Sequence, residues 1–160
     1  MIRVQKEDFS IAEEIEQLAA GRDGAGAVVT FTGVVREISP GQRLKSMTLE
    51  HYPGMTEKAL EEIEAEARRR FDLLDVLVIH RYGRLEPGEN IVLVVTVSAH
   101  RGGAFRAAEF LMDWLKTRAP FWKREETEDG AHWVAARNED GEAAARWGGP
   151  AASEKTPSGQ

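Results

Sequence analysis

Cysteine is missing from this 160-residue chain. Without thiols there are no disulfides, no thiolate nucleophiles, no persulfide carriers and no Cys-based zinc or iron–sulfur sites. Any sulfur chemistry would have to use a sulfur atom supplied by another molecule. Long apolar runs are missing too, since none approaches the roughly 18–20 residues needed to span a membrane. The opening residues, Met1-Ile2-Arg3-Val4-Gln5-Lys6-Glu7, lack the apolar core of a secretory signal, so the expected compartment is the cytoplasm. A basic excess is the third absence. Twenty-one Lys and Arg against 27 Asp and Glu leave a formal net charge of −6. That weighs against a general nucleic-acid binder, where a basic domain is expected. The four histidines, His51, His80, His100 and His132, show no short ligand spacing, so no metal site and no cofactor are expected.

What is present suits one globular domain. Hydrophobic residues make up 42% and charged residues 30% of the chain, enough to bury a core without staples. The domain is expected to cover residues 1–147. Residues 148–160, rich in Gly, Pro, Ala and Ser, are expected to form a disordered tail. Residues 2–5 read as a short strand. Ser10 and Glu13 form a capping-box pattern ahead of Ile11, Ile15 and Leu18 at helical spacing. Residues 27–35 read as a buried strand, with Gly33 marking a bulge or a close backbone approach. Residues 36–43 read as a mobile loop, and residues 45–51 as a strand pairing back on 27–35. A helix is predicted over 56–71 with Leu60, Ile63 and Ala67 on one face. Strands follow over 74–82 and 91–99, separated by a turn. A second helix over 104–118 carries Phe105, Ala108, Met112 and Leu115 at helical spacing, and Pro120 ends it. Strands at 121–127 and 132–135 flank the hairpin signal Asp129-Gly130, and residues 140–147 read as a final helical turn or two. This order predicts an α+β domain with mostly antiparallel pairing.

One segment stands out. Lys116, Arg118, Lys123 and Arg124 fall within nine residues that contain no acid. Such a concentration disfavours folding through self-repulsion unless an anion or scattered carboxylates compensate it. Pro120, Phe121 and Trp122 interrupt the run, so it is not one smooth helix face. Lys116 in a last helical turn is explained by the helix dipole alone. Lys123 and Arg124 are not, because they follow Pro120. If the chain folds back there, both lysines face one pocket, where clustered cations favour a general acid, base or nucleophile. A second segment, Ser98-Ala99-His100-Arg101-Gly102-Gly103, turns a strand into a helix. It reads either as an anion site at a helix N-terminus or as a Gly-rich turn with a surface Arg. Arg36 and Arg137 are further cations at strand ends. Glu50-His51 is not an acid–base pair, because neighbours on a strand point to opposite faces. The four tryptophans read as core or interface residues.

Five co-linear blocks carry a resemblance. They are Thr30-Phe31-Thr32-Gly33-Val34-Val35-Arg36, Leu49-Glu50-His51-Tyr52-Pro53-Gly54-Met55, Ile79-His80-Arg81, Ser98-Ala99-His100-Arg101 and Lys116-Thr117-Arg118-Ala119-Pro120-Phe121-Trp122-Lys123. Together they resemble the MoaE-like family of large, catalytic subunits of molybdopterin synthase, over about residues 27–137. The resemblance implies an α/β-hammerhead domain with an additional antiparallel sheet, forming a homodimer that becomes a heterotetramer with two small ubiquitin-like carriers. It implies transfer of two sulfurs to cyclic pyranopterin monophosphate from the carrier's Gly-Gly thiocarboxylate tail, making the dithiolene of molybdopterin. Lys116 and Lys123 match the family's catalytic lysines. Val34, Val35, Arg36, His100, Arg101, Arg124, Glu125 and Arg137 match its substrate pocket, which can draw on both protomers. Val34 stands where the family can hold Lys, so its side chain adds no charge. A non-catalytic module gripping a ubiquitin-like tail or a phosphorylated metabolite would use the same cations, and a small RNA-binding domain is disfavoured by the net charge.

Overall fold

The computed structural model of the protein describes residues 1–134 and 138–148. In chain order the elements are β1 (Ile2–Gln5), α1 (Ile11–Ala19), β2 (Ala27–Val34), β3 (Ile38–Ser39), β4 (Gln42–His51), α2 (Met55–Arg70), β5 (Asp75–Arg81), β6 (Gly83–Leu85), β7 (Asn90–Ser98), α3 (Arg101–Arg118), β8 (Phe121–Thr127), β9 (Gly130–Val134) and α4 (Asn138–Ala145). They build two sheets. The first has the order β1-β5-β7-β2, and the second runs β3-β4-β8-β9 with β6 also paired to β4. Among the described residues only the β1–β5 pair is parallel. The α+β class with an additional antiparallel sheet is therefore as expected. None of the described helices is long and apolar enough to cross a membrane.

The first sheet is covered on both faces, which is why β5 and β7 read as near-continuous apolar runs. On one face Val76, Val78, Val92 and Val94 meet Leu60, Ile63 and Ala67 of α2 and Phe110, Leu111 and Trp114 of α3. On the other, Leu77, Ile79, Leu93, Val95 and Val97 meet Leu18 of α1 and Phe9. Ser10 caps α1 by accepting from the Glu13 N–H at 3.4 Å, as its sequence pattern predicts. The chain leaves this sheet at a bulge between Gly33 and Val34. A Cβ at Gly33 would sit 2.8 Å from Val92 Cγ1, so both readings of that glycine hold. Val35 then drops into a separate core with Leu44, Met47, Leu49 and Leu85, and its N–H donates to Glu89 O at 2.9 Å.

That exit corrects two expectations. The strand over 45–51 does not pair with 27–35. It begins at Gln42, as β4, and pairs with β3, β6 and β8, because burial of Val35 commits the following chain to the second core. Residues 36–43 are not a plain loop either. Ile38↔Arg43 and Ser39↔Gln42 pair across Pro40-Gly41, with Gly41 at φ 77, the residue order a tight type II turn asks for. The predicted turn after 82 contains β6, and α3 begins at Arg101, three residues earlier than expected. Gly103 allows that early start, since a Cβ there would meet Ser98 Oγ at 3.0 Å. Of the expected tail, residues 149–160 lie outside the described residues.

His80 ties the two sheets together. It belongs to β5 of the first sheet, and its ring stacks on Phe121 of β8 with centroids 3.7 Å apart and planes 17° apart. Its Nδ1 lies 2.8 Å from the Arg81 carbonyl and donates to it. Burial lowers its pKa from 6.5 to about 4, the Arg81 hydrogen bond opposes that shift, and nearby His51 adds to it. The unfolded chain takes up this proton below about pH 6.5, and the native protein only near pH 4. The neutral ring's contribution is therefore complete above pH 6.5 and is lost as pH falls toward 4, amounting to about 3 kcal/mol. Urea unfolding across pH 4–7 should show this slope in the unaltered protein. It should be flatter in His80→Leu, even where that variant is less stable at pH 7.

Candidate active site

The knot of positive charge at the end of α3 is separated by the fold into individually partnered groups. Arg118 lays its guanidinium over the Trp114 ring, 3.5 Å from the centroid. Lys116 Nζ lies 3.8 Å from Asp140 Oδ1 of α4, with half of the lysine side chain exposed. Ala119 closes the helix and Phe121 N–H donates to its carbonyl at 2.8 Å, so Pro120 turns the chain directly into β8. Alternation along β8 then divides the remaining charges. Lys123 and Glu125 share a face with Phe121. Arg124 projects from the opposite face, over Trp133 at 5.9 Å.

Strand pairing decides which predicted residues can meet. In the β2–β7 ladder Ala27 is opposite Ser98 and Gly33 is opposite Val92. His100 and Arg101 follow Ser98 at one end of the ladder, while Val34 and Arg36 leave at the other. Eight strand residues separate the ends by about 25 Å. α3 spans a similar length, since 18 residues at 1.5 Å each give about 27 Å. It starts beside Ser98 and delivers Phe121 to His80, which is paired with Val92. Lys116, Lys123, Val34 and Arg36 therefore belong to one end of the sheet, and His100 and Arg101 to the other. Val34 and Arg36 are exposed, whereas the Val35 side chain is in the core. Arg137 lies outside the described residues.

Two open clefts are present, neither of them lined by Lys116 or Lys123. The first, about 410 Å³, lies between β2 and α3 and is lined by Val29, Phe31, Phe105, Ala108 and Met112, with Glu109 and Asp113 at its rim. Phe105, Ala108 and Met112 were expected as a helix packing stripe, yet Phe105 is 63% exposed. Ala108 and Leu115 of the expected stripe are buried, and the core side of α3 is completed by Ala104, Ala107, Phe110, Leu111 and Trp114. The sequence spacing marks the stripe but not that its Phe105 end is left uncovered beside β2, the last strand of its sheet. Continued by four residues, the stripe reaches Lys116. The second cleft, about 360 Å³, is lined by Ser39, Gln42, Glu125, Thr127, His132 and Trp133. There Ser39 Oγ donates to Glu125 Oε2 at 2.5 Å, and the carboxylate is buried. Both volumes lie in the range of small-ligand sites.

Sequence reasoning missed Ser39 and Asp140. Neither carries a local signal, since each meets its partner across 86 and 24 residues of chain respectively. It placed Glu50 and His51 correctly. Glu50 accepts from Trp122 Nε1 at 3.2 Å, while His51 turns inward, 3.1 Å from Thr56 Oγ1 and tilted against Tyr82. Trp114 and Trp147 are packed in the first core, and Trp133 is exposed.

Comparison with known proteins adds an independent line. The MoaE protein family model matches residues 4–118. The chain is 60% identical over 139 residues to the molybdopterin synthase catalytic subunit of Salmonella typhimurium, covering 87% of this chain and 92% of that protein. It is 57% identical over 147 residues to the same subunit of Ralstonia nicotianae, covering 92% and 84%. Among solved structures, the molybdopterin biosynthesis MoaE protein of Burkholderia ambifaria superposes with a TM-score of 0.80 at 52% identity, covering 93% of this chain and 98% of that one. A chain from the complex of subunits 1 and 2 of molybdopterin-converting factor from Helicobacter pylori shares the fold, with a TM-score of 0.68 at 20% identity, covering 85% and 91%.

Ser39 and Glu125 provide a local test. Ser39→Ala leaves a buried carboxylate without this donor, which should cost about 1–3 kcal/mol in urea unfolding. Ser39→Thr, which keeps the hydroxyl, should recover most of that loss.

Proposed function

Because the chain belongs to the MoaE protein family, we propose that it is the catalytic subunit of a molybdopterin synthase. In this reading it moves two sulfurs onto cyclic pyranopterin monophosphate from the C-terminal thiocarboxylate of a small ubiquitin-like carrier. The observation that carries the reading is the apolar cleft along β2 whose α3 stripe runs on to Lys116. An extended tail suits such a place, since β2 is an edge strand with unpaired backbone groups and a Gly-Gly end passes through a narrow groove. A chain with no cysteine also needs its sulfur delivered.

The roles follow from position and charge. Lys116, at the end of the groove, acts as general acid/base beside the carrier's C-terminus, where sulfur leaves and oxygen from water takes its place. Lys123 and Arg36 bind the substrate's phosphate and the developing anion, with Arg137 as a further contact. Glu125 borders the substrate from the face of β8 that carries Lys123, whereas Arg124 leaves from the opposite face. His100 and Arg101 are about 25 Å from that end within one protomer. The complete site is therefore assembled in a homodimer, with His100 and Arg101 of the partner subunit facing Lys116. A carrier at each end makes a heterotetramer. The cytoplasm, where such carriers and pterins are made, is the proposed compartment.

Two measurements test this. With purified thiocarboxylated carrier and substrate, Lys116→Ala should lower dithiolene formation by about 10²–10⁴-fold, the usual worth of a general acid/base, while circular dichroism stays native. Near-normal turnover would reject the role. Co-expressing Lys116→Ala with Arg101→Ala should restore roughly a quarter of wild-type activity, because about half of randomly assembled C2 dimers are mixed and half the sites in each mixed dimer carry neither change. No recovery would place both residues in the same protomer's site.

A further inference from the structure

α4 is held on α3 by contacts that do not involve Lys116. Trp147 Nε1 donates to Asp113 Oδ2 at 2.7 Å, and the indole stands edge-on to Phe71 and Phe110 with centroids 5.8 and 5.5 Å away. Arg70 donates to the Trp147 carbonyl. Arg146 reaches Glu109 and Asp113, each at 3.2 Å. The two helices therefore run antiparallel, the end of α4 lying beside Glu109 and Asp113 and its first turn beside Lys116. In that register Asp140 Oδ1 comes 3.8 Å from Lys116 Nζ. Packing, not the ion pair, puts the carboxylate there.

We propose that Asp140 is a built-in counter-ion, a resident carboxylate that occupies Lys116 until the C-terminal anion of a bound tail displaces it. The proposal rests on the reading of Lys116 as the lysine at the end of the tail groove. Helix dipoles alone favour a cation at the end of α3 and an acid at the start of α4. They apply equally to Glu139, and Asp140 is the one that makes the contact. The acids further back along α3, Glu109 and Asp113, are engaged by Arg146, and Asp113 also by the Trp147 indole. An ion pair this long and this exposed contributes little, so an incoming anion exchanges with it at small cost. The device keeps the ammonium in place at an empty site, and it lowers the affinity for free anions without closing the site to a tail that also fills the apolar groove.

Calorimetric titration of the full chain with the carrier tests it, using the carrier in its C-terminal carboxylate form and, separately, as the C-terminal amide. Asp140→Asn should bind the carboxylate form about two- to fivefold more tightly than the unaltered chain, the range of an exposed pair, and the amide form equally well. Asp140→Glu, which keeps the charge, should stay within about twofold of the unaltered chain for both. Asp140→Asn affinity that is unchanged, weaker, or raised equally for the amide overturns the proposal. Lys116→Ala separates the two readings. If it weakens the carboxylate form while Asp140→Asn has no effect, only the counter-ion fails. If it leaves the carboxylate form unaffected, the placement of Lys116 fails as well.

Discussion

Antiparallel pairing of β2 on β7 is the constraint on which the site depends. A ladder running from Ala27↔Ser98 to Gly33↔Val92 fixes two sets of cations at opposite ends of one rigid sheet. No side-chain rotamer bridges a separation of about 25 Å. α3 then repeats the span in helical form and returns the chain to the end it left. In the proposed reading both sets serve one chemical task, and two-fold assembly is the direct way to reunite them.

The second constraint is how concentrated positive charge is tolerated in an acidic protein. Self-repulsion among Lys116, Arg118, Lys123 and Arg124 is relieved by giving neighbours different partners. Arg118 takes the Trp114 face, Arg124 the Trp133 face, and Lys116 the Asp140 carboxylate. Pro120 makes this possible by moving the second pair onto a strand, where alternation sends Lys123 and Arg124 to opposite faces. Cations held by aromatic rings, and Lys116, whose side chain is half exposed beside the Asp140 carboxylate, remain available to a stronger anion.

His80 and Phe121 connect these two constraints. Their stacked rings join β5 of the first sheet to β8 of the second, so the position of Lys123 relative to the β2–β7 ladder is set by a buried aromatic contact. The price is a histidine kept neutral by burial. Proton uptake at this joint works against the contact that aligns the two sheets.

Periodicity and end signals were legible wherever local chemistry decides. Ser10 caps α1, Leu60, Ile63 and Ala67 face the core, Gly33 permits the approach of Val92, and Pro120 stops α3. The five co-linear blocks carried the resemblance to the family, with which the charge knot and the absence of cysteine agree, because residue types and their order are properties of the chain itself. Partner choice was not legible. That β4 pairs with β8 and not with β2, that Phe105 and Met112 border a groove, and that Asp140 reaches Lys116 all depend on contacts between distant segments. Burial of Val35, the exposed edge of β2 and the packing of Arg146 and Trp147 on α3 decided them, and above all the ladder decided that His100 and Arg101 stand a full strand length from Lys116. A sequence lists the groups a site can use. Only the packed sheets fix which of them one protomer can bring together, since strand rise and helix rise set distances that side chains cannot cross.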